Sequence, residues 1–149
     1  MSYLFIVSSY LIGSINFAYL VAKYKKLDIS SSGSGNPGTS NVMRTIGKKY
    51  AAFVLIGDVL KGFLPILLFS ENLLVCGFAA VIGHIYPIFY KFKGGKGVAT
   101  YIGVYIAFST LNPISYDLFE NSYFLFLNIP LLAAFYFVVF KISRISAIA

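Results

Sequence analysis

Residues 51–69 read AAFVLIGDVLKGFLPILLF, and apart from Asp58 and Lys61 every side chain in this stretch is uncharged. A helix needs about 20 mainly apolar residues to cross the ~30 Å hydrocarbon core of a bilayer. The apolar residues here cover all sides of a helix, whereas a membrane β-strand would alternate with a period of two. The stretch therefore predicts a membrane-spanning helix.

Four more stretches of this kind predict an all-α, polytopic membrane protein with about five spans and a single integral-membrane domain over residues 1–149. The predicted spans cover residues 3–22, 51–69, 73–90, 98–119 and 122–140. The first is not a cleaved secretory signal, because its first cation, Lys23, follows the apolar run instead of preceding it.

The composition supports this class and excludes others. Hydrophobic residues make up 58% of the chain and charged residues 11%, whereas a soluble domain carries about 25% charged residues. Disorder is excluded by the same apolar content. The single cysteine, Cys76, excludes an internal disulfide framework, a cysteine-based zinc site and a CxxC redox pair.

Charge orients the predicted spans. The chain has 12 Lys and Arg against five Asp and Glu, a net charge of +7. If the loops alternate between the two sides, every Lys and Arg except Lys61 falls on one side, while Glu71 and Glu120 fall on the other. Because cytoplasmic loops attract Lys and Arg, we expect the N-terminus outside and the C-terminus in the cytoplasm. The basic excess then indicates topology and contact with anionic lipids and gives little support to nucleic-acid binding.

The loop between the first two predicted spans (the first loop, residues 23–50) contains SSGSGNPGTSNVMR at positions 31–44. Glycines allow backbone N–H groups to converge on an anionic oxygen, Ser and Asn add donors, and the Arg44 guanidinium suits phosphate. A short helix after Pro37 would begin at the same anion. The alternative interpretation is a flexible linker.

Two nucleotide motifs fail in this loop. Gly33, Gly35 and Gly38 match GxGxxG by letter, but no strand precedes them and no βαβ unit follows. A Walker A loop needs Lys after its last glycine, where Thr39 stands. The sequence therefore gives no support to dinucleotide or ATP binding.

The loop after the third predicted span (the second loop, residues 91–97) reads KFKGGKG. Lys91 and Lys93 are explained by the preference of Lys for cytoplasmic loops. Lys96 differs, because glycines on both sides allow close backbone approach and a helix is predicted to begin beside it, with Thr100 one turn later. Since both loops are predicted on the same membrane face, we expect them to meet at one phosphate or at two neighbouring ones.

Polar residues within the spans allow a structural or a functional interpretation. Asp58 and Lys61 are three residues apart, so they share a helix face and can neutralise each other. His84, near the inner end of the third span, is either a hydrogen-bonded packing residue or a functional group close to the second loop. Residues 13–14 and Asn16 are expected to serve helix packing by small side chains.

The possible chemistry is limited by what the sequence lacks. One His, one Cys and no clustered carboxylates give no metal constellation, and no metal or other cofactor is expected. A Ser34–His84 pair has no evident orienting carboxylate. Anion-binding loops can stabilise developing charge, which suits a substrate with its own good leaving group, such as a phosphate held by Ser34, Arg44 and Lys96.

Three segments carry a resemblance to a known family: residues 32–49 (SGSGNPGTSNVMRTIGKK), 57–62 (GDVLKG) and 83–100 (GHIYPIFYKFKGGKGVAT). They resemble the bacterial integral-membrane glycerol-3-phosphate acyltransferases that use acyl phosphate, the PlsY family. The resemblance implies acyl transfer from acyl phosphate to sn-glycerol 3-phosphate, giving 1-acyl-sn-glycerol 3-phosphate (lysophosphatidic acid) and phosphate in the inner membrane of a bacterium, on its cytoplasmic side.

The resemblance also implies roles for residues and partners. Ser34, Arg44 and Lys96 match family residues that bind the phosphate groups of donor and acceptor, and the substrate phosphate assists deprotonation of the hydroxyl. A soluble enzyme that makes acyl phosphate is a further expected partner. The predicted catalytic residues are Ser34, Arg44, His84 and Lys96, and the predicted substrate-binding residues are Gly33, Gly35, Asn36, Gly38, Ser40, Asn41, Gly94, Gly95, Gly97 and Thr100.

The chain departs from the family at its end. Members commonly have a third inner motif with His, Asn, Gly and Glu, and no counterpart is found between Arg144 and Ala149. We therefore expect the chain to lack the family's C-terminal part. Two other functions stay open from the sequence: a membrane permease for phosphate or glycerol phosphate, and a non-catalytic remnant.

Overall fold

The computed structural model describes residues 2–69 and 71–111, and every regular element in this part is helical. The α-helices are α1 (Ser2–Gly13), α2 (Phe17–Tyr24), α3 (Thr39–Thr45), α4 (Lys48–Leu68), α5 (Leu73–Ile85) and α6 (Val98–Leu111), with a short 3-10 helix at Ile88–Tyr90. The all-α prediction is confirmed for these residues.

Three described segments are long and apolar enough to cross a membrane, namely Tyr3–Tyr24, Lys48–Leu68 and Leu73–Tyr90. They coincide closely with the first three predicted spans. The fourth predicted span begins where α6 begins, at Val98. Its predicted end at residue 119 and the whole fifth span, residues 122–140, lie outside the described residues.

The first span is broken, which the sequence analysis did not predict. Helix α1 ends at Gly13, and α2 begins after Asn16, whose Oδ1 accepts a hydrogen bond from the Tyr19 N–H at 3.1 Å. Asn is a strong helix N-cap, so it restarts the helix there. Asn16 is thus a cap, whereas Gly13 has the expected packing role, since a Cβ there would overlap the backbone of Ala80.

Small residues bring the helices into close backbone contact. A Cβ on Gly83 of α5 would overlap the Tyr10 carbonyl of α1, and a Cβ on Gly62 of α4 would overlap the Thr100 carbonyl of α6. Gly103 of α6 makes the same kind of contact with α4. Close approach at glycine is the usual way in which helices associate in membranes, and here it joins α1 to α5 and α4 to α6.

Polarity in the bundle follows the pattern of a membrane protein. Large apolar side chains such as Tyr3, Leu4 and Leu68 lie more than half exposed on the outside, which suits contact with lipid tails. The buried polar residues include Ser9, Ser14, Asn16, Asp58, Lys61, His84 and Thr100. Because charged groups in spans face the protein interior, this arrangement and the three apolar segments describe an integral membrane protein.

Candidate anion-binding site

The first loop is attached to the bundle by its own small core. Ile29 and Val42 are completely buried and belong to one apolar cluster with Ala18 of α2 and Val54 of α4. Burial of both residues fixes the loop between helices, so the flexible-linker interpretation does not describe this segment.

Asn41 organises the glycine-rich part of the first loop from within. Its Oδ1 accepts a hydrogen bond from the Ser34 N–H at 2.9 Å, and its Nδ2 donates to the carbonyls of Ser32 at 2.9 Å and Ile29 at 3.3 Å. The side chain is buried. The polar atoms of Asn41 are thus used by the loop, which suggests support of the site more than contact with a ligand.

The turn around Ser34 needs glycine on both sides. Gly33 and Gly35 have φ angles of 60° and 69°, in the left-handed region that glycine adopts without steric cost. The Gly35 N–H donates to the Ser32 carbonyl at 3.0 Å, and the Ser34 N–H is bound to Asn41. The sequence predicted that backbone N–H groups here would be free to bind an anion. The N–H groups of Ser34 and Gly35 are instead hydrogen-bonded within the loop, so the prediction is wrong for these two. The Ser34 side chain remains exposed.

The second loop lies directly against the end of α5. The Gly95 N–H donates to the His84 carbonyl at 3.2 Å, and a Cβ on Gly95 would collide with Nε2 of the His84 ring. A Cβ on Gly94 would overlap the His84 carbonyl. Glycine is thus required at both positions for the second loop to pack against the end of α5.

The two loops meet, as predicted. A Cβ on Gly95 would lie 3.1 Å from the carbonyl oxygen of Pro37, which also accepts a 3.5 Å hydrogen bond from Nδ2 of Asn16. Beside this contact the rings of Tyr19 and Tyr90 stack with 4.6 Å between centroids. The two loops, in contact at Gly95 and Pro37, therefore form one paired-loop surface at one end of the bundle, and their line of contact is called the junction.

Two cations share this surface. Lys96 and Arg44 are exposed, and among the described residues neither is in ion-pair contact with a carboxylate. Partial burial lowers the pKa of Lys96 below the ordinary lysine value, and the neighbouring positive charge of Arg44 lowers it further. Two like charges held together without an acidic partner favour an anion between them.

A buried charge cluster lies beneath the junction. Nζ of Lys61 is 2.9 Å from Oδ1 of Asp58, and Nδ1 of His84 is 3.5 Å from the same oxygen. Lys61 also donates to the Ile15 carbonyl at 2.6 Å, in the break between α1 and α2. The predicted Asp58–Lys61 pairing is confirmed. The His84 ring points into this cluster and is only 3% exposed.

The remaining predicted residues fall into two groups. Gly38 is the N-cap of α3, Asn36 is half-buried beside it and Ser40 is exposed in the first turn of α3, all near the junction. Gly97 has a φ of 77° and immediately precedes α6. Thr100 is completely buried, with its hydroxyl enclosed in the bundle. The structure therefore does not bring the Thr100 hydroxyl to the shared surface.

Sequence reasoning missed the contacts that join the loops. The Tyr19–Tyr90 stack and the Asn16–Pro37 hydrogen bond connect residues distant in sequence, and no local pattern reports such pairs. The cap at Asn16 did have a signal, because Asn directly before an apolar run such as the one beginning at Phe17 is a common helix start.

The fold and this paired-loop surface define a helical integral membrane protein with a cationic site at one end of its bundle. The family model described as glycerol-3-phosphate acyltransferase matches residues 3–149. The chain belongs to the glycerol-3-phosphate acyltransferase family.

Curated relatives have the same description. The glycerol-3-phosphate acyltransferase of Aquifex aeolicus is 47% identical over 70% of this chain and 58% of its own length. The enzyme of Pseudomonas aeruginosa is 40% identical over 100% of this chain and 74% of its own length. The chain thus spans 58% of the length of the Aquifex relative.

Solved structures agree with the sequence comparison. Crystal structures of PlsY, described as an integral membrane glycerol 3-phosphate acyltransferase, match in two forms. The lysophosphatidic acid form has a TM-score of 0.65 and 44% identity, over 74% of this chain and 58% of that one. The glycerol 3-phosphate form has a TM-score of 0.71 and 38% identity, over 97% of this chain and 72% of that one.

Proposed function

We propose that this chain transfers an acyl group from acyl phosphate to the 1-hydroxyl of sn-glycerol 3-phosphate, giving lysophosphatidic acid and inorganic phosphate. Family membership supports the reaction class. The related solved structures are described in glycerol 3-phosphate and lysophosphatidic acid forms, which are the acceptor and the product of this reaction. The acyl phosphate donor follows from the resemblance to the PlsY family, and a soluble enzyme that makes it would act upstream.

The nearness of Lys96 and Arg44 on the surface formed by the two loops carries the proposal. Both substrates bear phosphate, and a guanidinium beside an ammonium supplies several donors to phosphoryl oxygens. Ser34, exposed on the first loop, adds a hydroxyl donor. We assign these three side chains to the phosphate groups of donor and acceptor. The nearby predicted residues Gly33, Gly35, Asn36, Gly38, Ser40, Gly94, Gly95 and Gly97 shape the surface that receives them.

The reaction needs little from the protein beyond binding and charge stabilisation. The acceptor hydroxyl oxygen attacks the acyl carbonyl, the bond from the carbonyl carbon to the phosphate oxygen breaks, and phosphate leaves with its electron pair. The hydroxyl proton passes to a phosphate oxygen of the substrate. Lys96 and Arg44 stabilise charge on the leaving phosphate. We assign His84 a positioning role in place of the expected catalytic one, because its ring is buried against Asp58.

We also propose five spans, with the N-terminus outside and the junction at the cytoplasmic face of the bacterial inner membrane. The lysines of both loops lie at the end of the bundle where these loops meet, and the preference of cytoplasmic loops for Lys and Arg supports this orientation.

Activity measurements test the proposal. The purified chain in lipid nanodiscs, given acyl phosphate and glycerol 3-phosphate, is expected to release lysophosphatidic acid and phosphate. Lys96→Ala and Arg44→Ala should each lower kcat/KM by about 100-fold or more, the usual size for loss of a charge-stabilising donor. Lys93→Ala removes an equal charge from the same loop and serves as the matched control, with near-normal activity expected.

Other outcomes would point elsewhere. Unchanged product formation with both Lys96→Ala and Arg44→Ala would contradict the assigned site. Phosphate flux into liposomes without acyl donor would favour the permease. A folded wild-type chain with neither activity would favour the remnant.

A further inference from the structure

The buried charge cluster connects to both loops of the proposed site. On one side Lys61 holds the Ile15 carbonyl at 2.6 Å, and the next residue, Asn16, reaches the Pro37 carbonyl of the first loop at 3.5 Å. On the other side Asp58 contacts His84, whose ring and carbonyl abut Gly95 of the second loop. One continuous set of contacts therefore runs from loop to loop beneath the junction.

We propose that the Asp58–Lys61 pair positions the two anion-binding loops relative to each other, acting through Ile15 and Asn16 on one side and through His84 on the other. This inference rests on the proposed function for its kinetic readout. Neither member of the pair touches substrate in this scheme, so both are positioning residues.

The energetics favour such a role over simple stabilisation. Asp58 and Lys61 are 2% and 3% exposed, and a buried ion pair gives little or no net stability compared with apolar side chains of the same shape. A charged pair in a span is costly. The ion pair also contacts the Ile15 carbonyl and the His84 ring. These directed contacts set a defined distance between the break after α1 and helix α5, which apolar side chains would not do.

The double variant Asp58→Leu/Lys61→Met is the decisive one. Both replacements are close in shape to the original side chains and leave no unpaired buried charge, so the bundle is expected to fold. Its melting temperature should fall, because the Ile15 carbonyl and the His84 ring lose their partners. Without the pair, the loops lose their common support. We expect KM for glycerol 3-phosphate to rise by ~10-fold or more, because small misplacements of binding groups have large kinetic effects.

Hydrogen–deuterium exchange gives a second readout on the full chain in nanodiscs. Peptides from the first and second loops should both exchange at least severalfold faster in the double variant than in the wild type. Ile66→Ala is the matched control, because Ile66 is a buried residue of the same helix, two turns beyond Asp58 and away from the loops. Its cavity should lower the melting temperature and leave KM and loop exchange unchanged.

The outcomes separate the two proposals. Normal KM and normal exchange in a folded double variant would overturn the positioning role and leave the proposed function standing. If the wild type makes no lysophosphatidic acid, the proposed function fails, and exchange alone then decides the positioning role. Faster exchange in only one loop would also overturn it, because the pair would then support that loop and not connect the two.

Discussion

Lys96 and Arg44 show how individual residues define this site. Each is exposed, yet each stands on a framework that is buried: Gly95 lies under Lys96, and Val42 lies beside Arg44 in α3. The backbone that carries each exposed charge is therefore held in place, although solvent reaches the charged group. In the proposed reaction, a held backbone lowers the cost of placing these charges when charge develops on phosphate.

The lowered pKa of Lys96 leads to a prediction about its reactivity. A lysine with a depressed pKa loses its proton at a lower pH than ordinary lysines, so at mildly alkaline pH more of its amine is neutral and nucleophilic. We expect Lys96 to acetylate faster than Lys93 at pH 9, as measured by mass spectrometry. Arg44→Gln removes one cause of the depression, so its Lys96 should react more slowly, while the effect of burial persists.

Phosphate supplies the control for this prediction. A bound anion favours the protonated ammonium, so saturating phosphate should raise the pKa of Lys96 and slow its acetylation while leaving Lys93 unaffected. Faster acetylation in Arg44→Gln would contradict the proximity of the two cations.

At the scale of elements, the break between α1 and α2 decides where the first loop stands. Backbone groups left free inside a membrane must find partners within the protein. The Tyr19 N–H is capped by Asn16, and the Ile15 carbonyl accepts from Lys61. These two backbone groups at the break are therefore hydrogen-bonded within the protein. The break also changes the direction of the chain, so that Asn16 faces Pro37.

Substitutions at Asn16 separate its two contacts. Asn16→Ser keeps a capping oxygen but is too short to reach Pro37, whereas Asn16→Ala loses both. We expect Asn16→Ala to lower the free energy of unfolding by about 1 kcal/mol, and Asn16→Ser by much less. Both should raise KM for glycerol 3-phosphate by about threefold, as for loss of one weak hydrogen bond.

Thermal unfolding and steady-state kinetics on the two variants check this separation. Equal stability of both variants would show that the cap contributes nothing, and an unchanged KM in both would show that the Pro37 contact does not position the first loop.

At the scale of the whole molecule, the described part of the bundle has an apolar outside, polar groups buried among apolar ones, and a cationic end where the two loops meet. Glycine contacts join the helices in pairs, and the two glycine-rich loops close the cationic end. The orientation of that end in the membrane determines which compartment would supply the soluble substrate of the proposed reaction.

Cysteine labelling tests the proposed orientation. Ser31 in the first loop and Asn72 between α4 and α5 are both exposed, and the native Cys76 is completely buried. In intact cells, a membrane-impermeant maleimide should label the Asn72→Cys variant. It should label the Ser31→Cys variant only after the cells are permeabilised. The reverse pattern would place the site outside the cytoplasm.

The sequence predicted the features that depend on residues close together in the chain, and it missed most of those that depend on contacts between distant residues. Span positions follow from local apolar runs, and the Asp58–Lys61 pair follows from helical spacing, so both were predictable. The meeting of the loops followed from topology. The inward role of Asn41 was not predictable, because a polar residue in a glycine-rich loop looks the same whether it binds a ligand or the loop's own backbone.

His84 and Thr100 show the same limit. Both lie within segments that resemble family motifs, yet packing turns their side chains into the bundle. The direction in which a side chain near a helix end points depends on how that helix packs against its neighbours. Here the glycine contacts of α4 with α6 and of α5 with α1 set that packing. Spacing alone does not report these contacts.

The spacing of Asp58 and Lys61 also matters while the protein is being made. Each charge alone would cost about 3 kcal/mol at the centre of an inserting helix. Because the two lie one turn apart on α4 and contact each other at 2.9 Å, the apolar part of that helix, residues 51–68, can leave the translocon with no net charge before α5 has emerged from the ribosome. Insertion of α4 then does not require His84. The contact between Asp58 and His84 forms later, when α5 packs against α4.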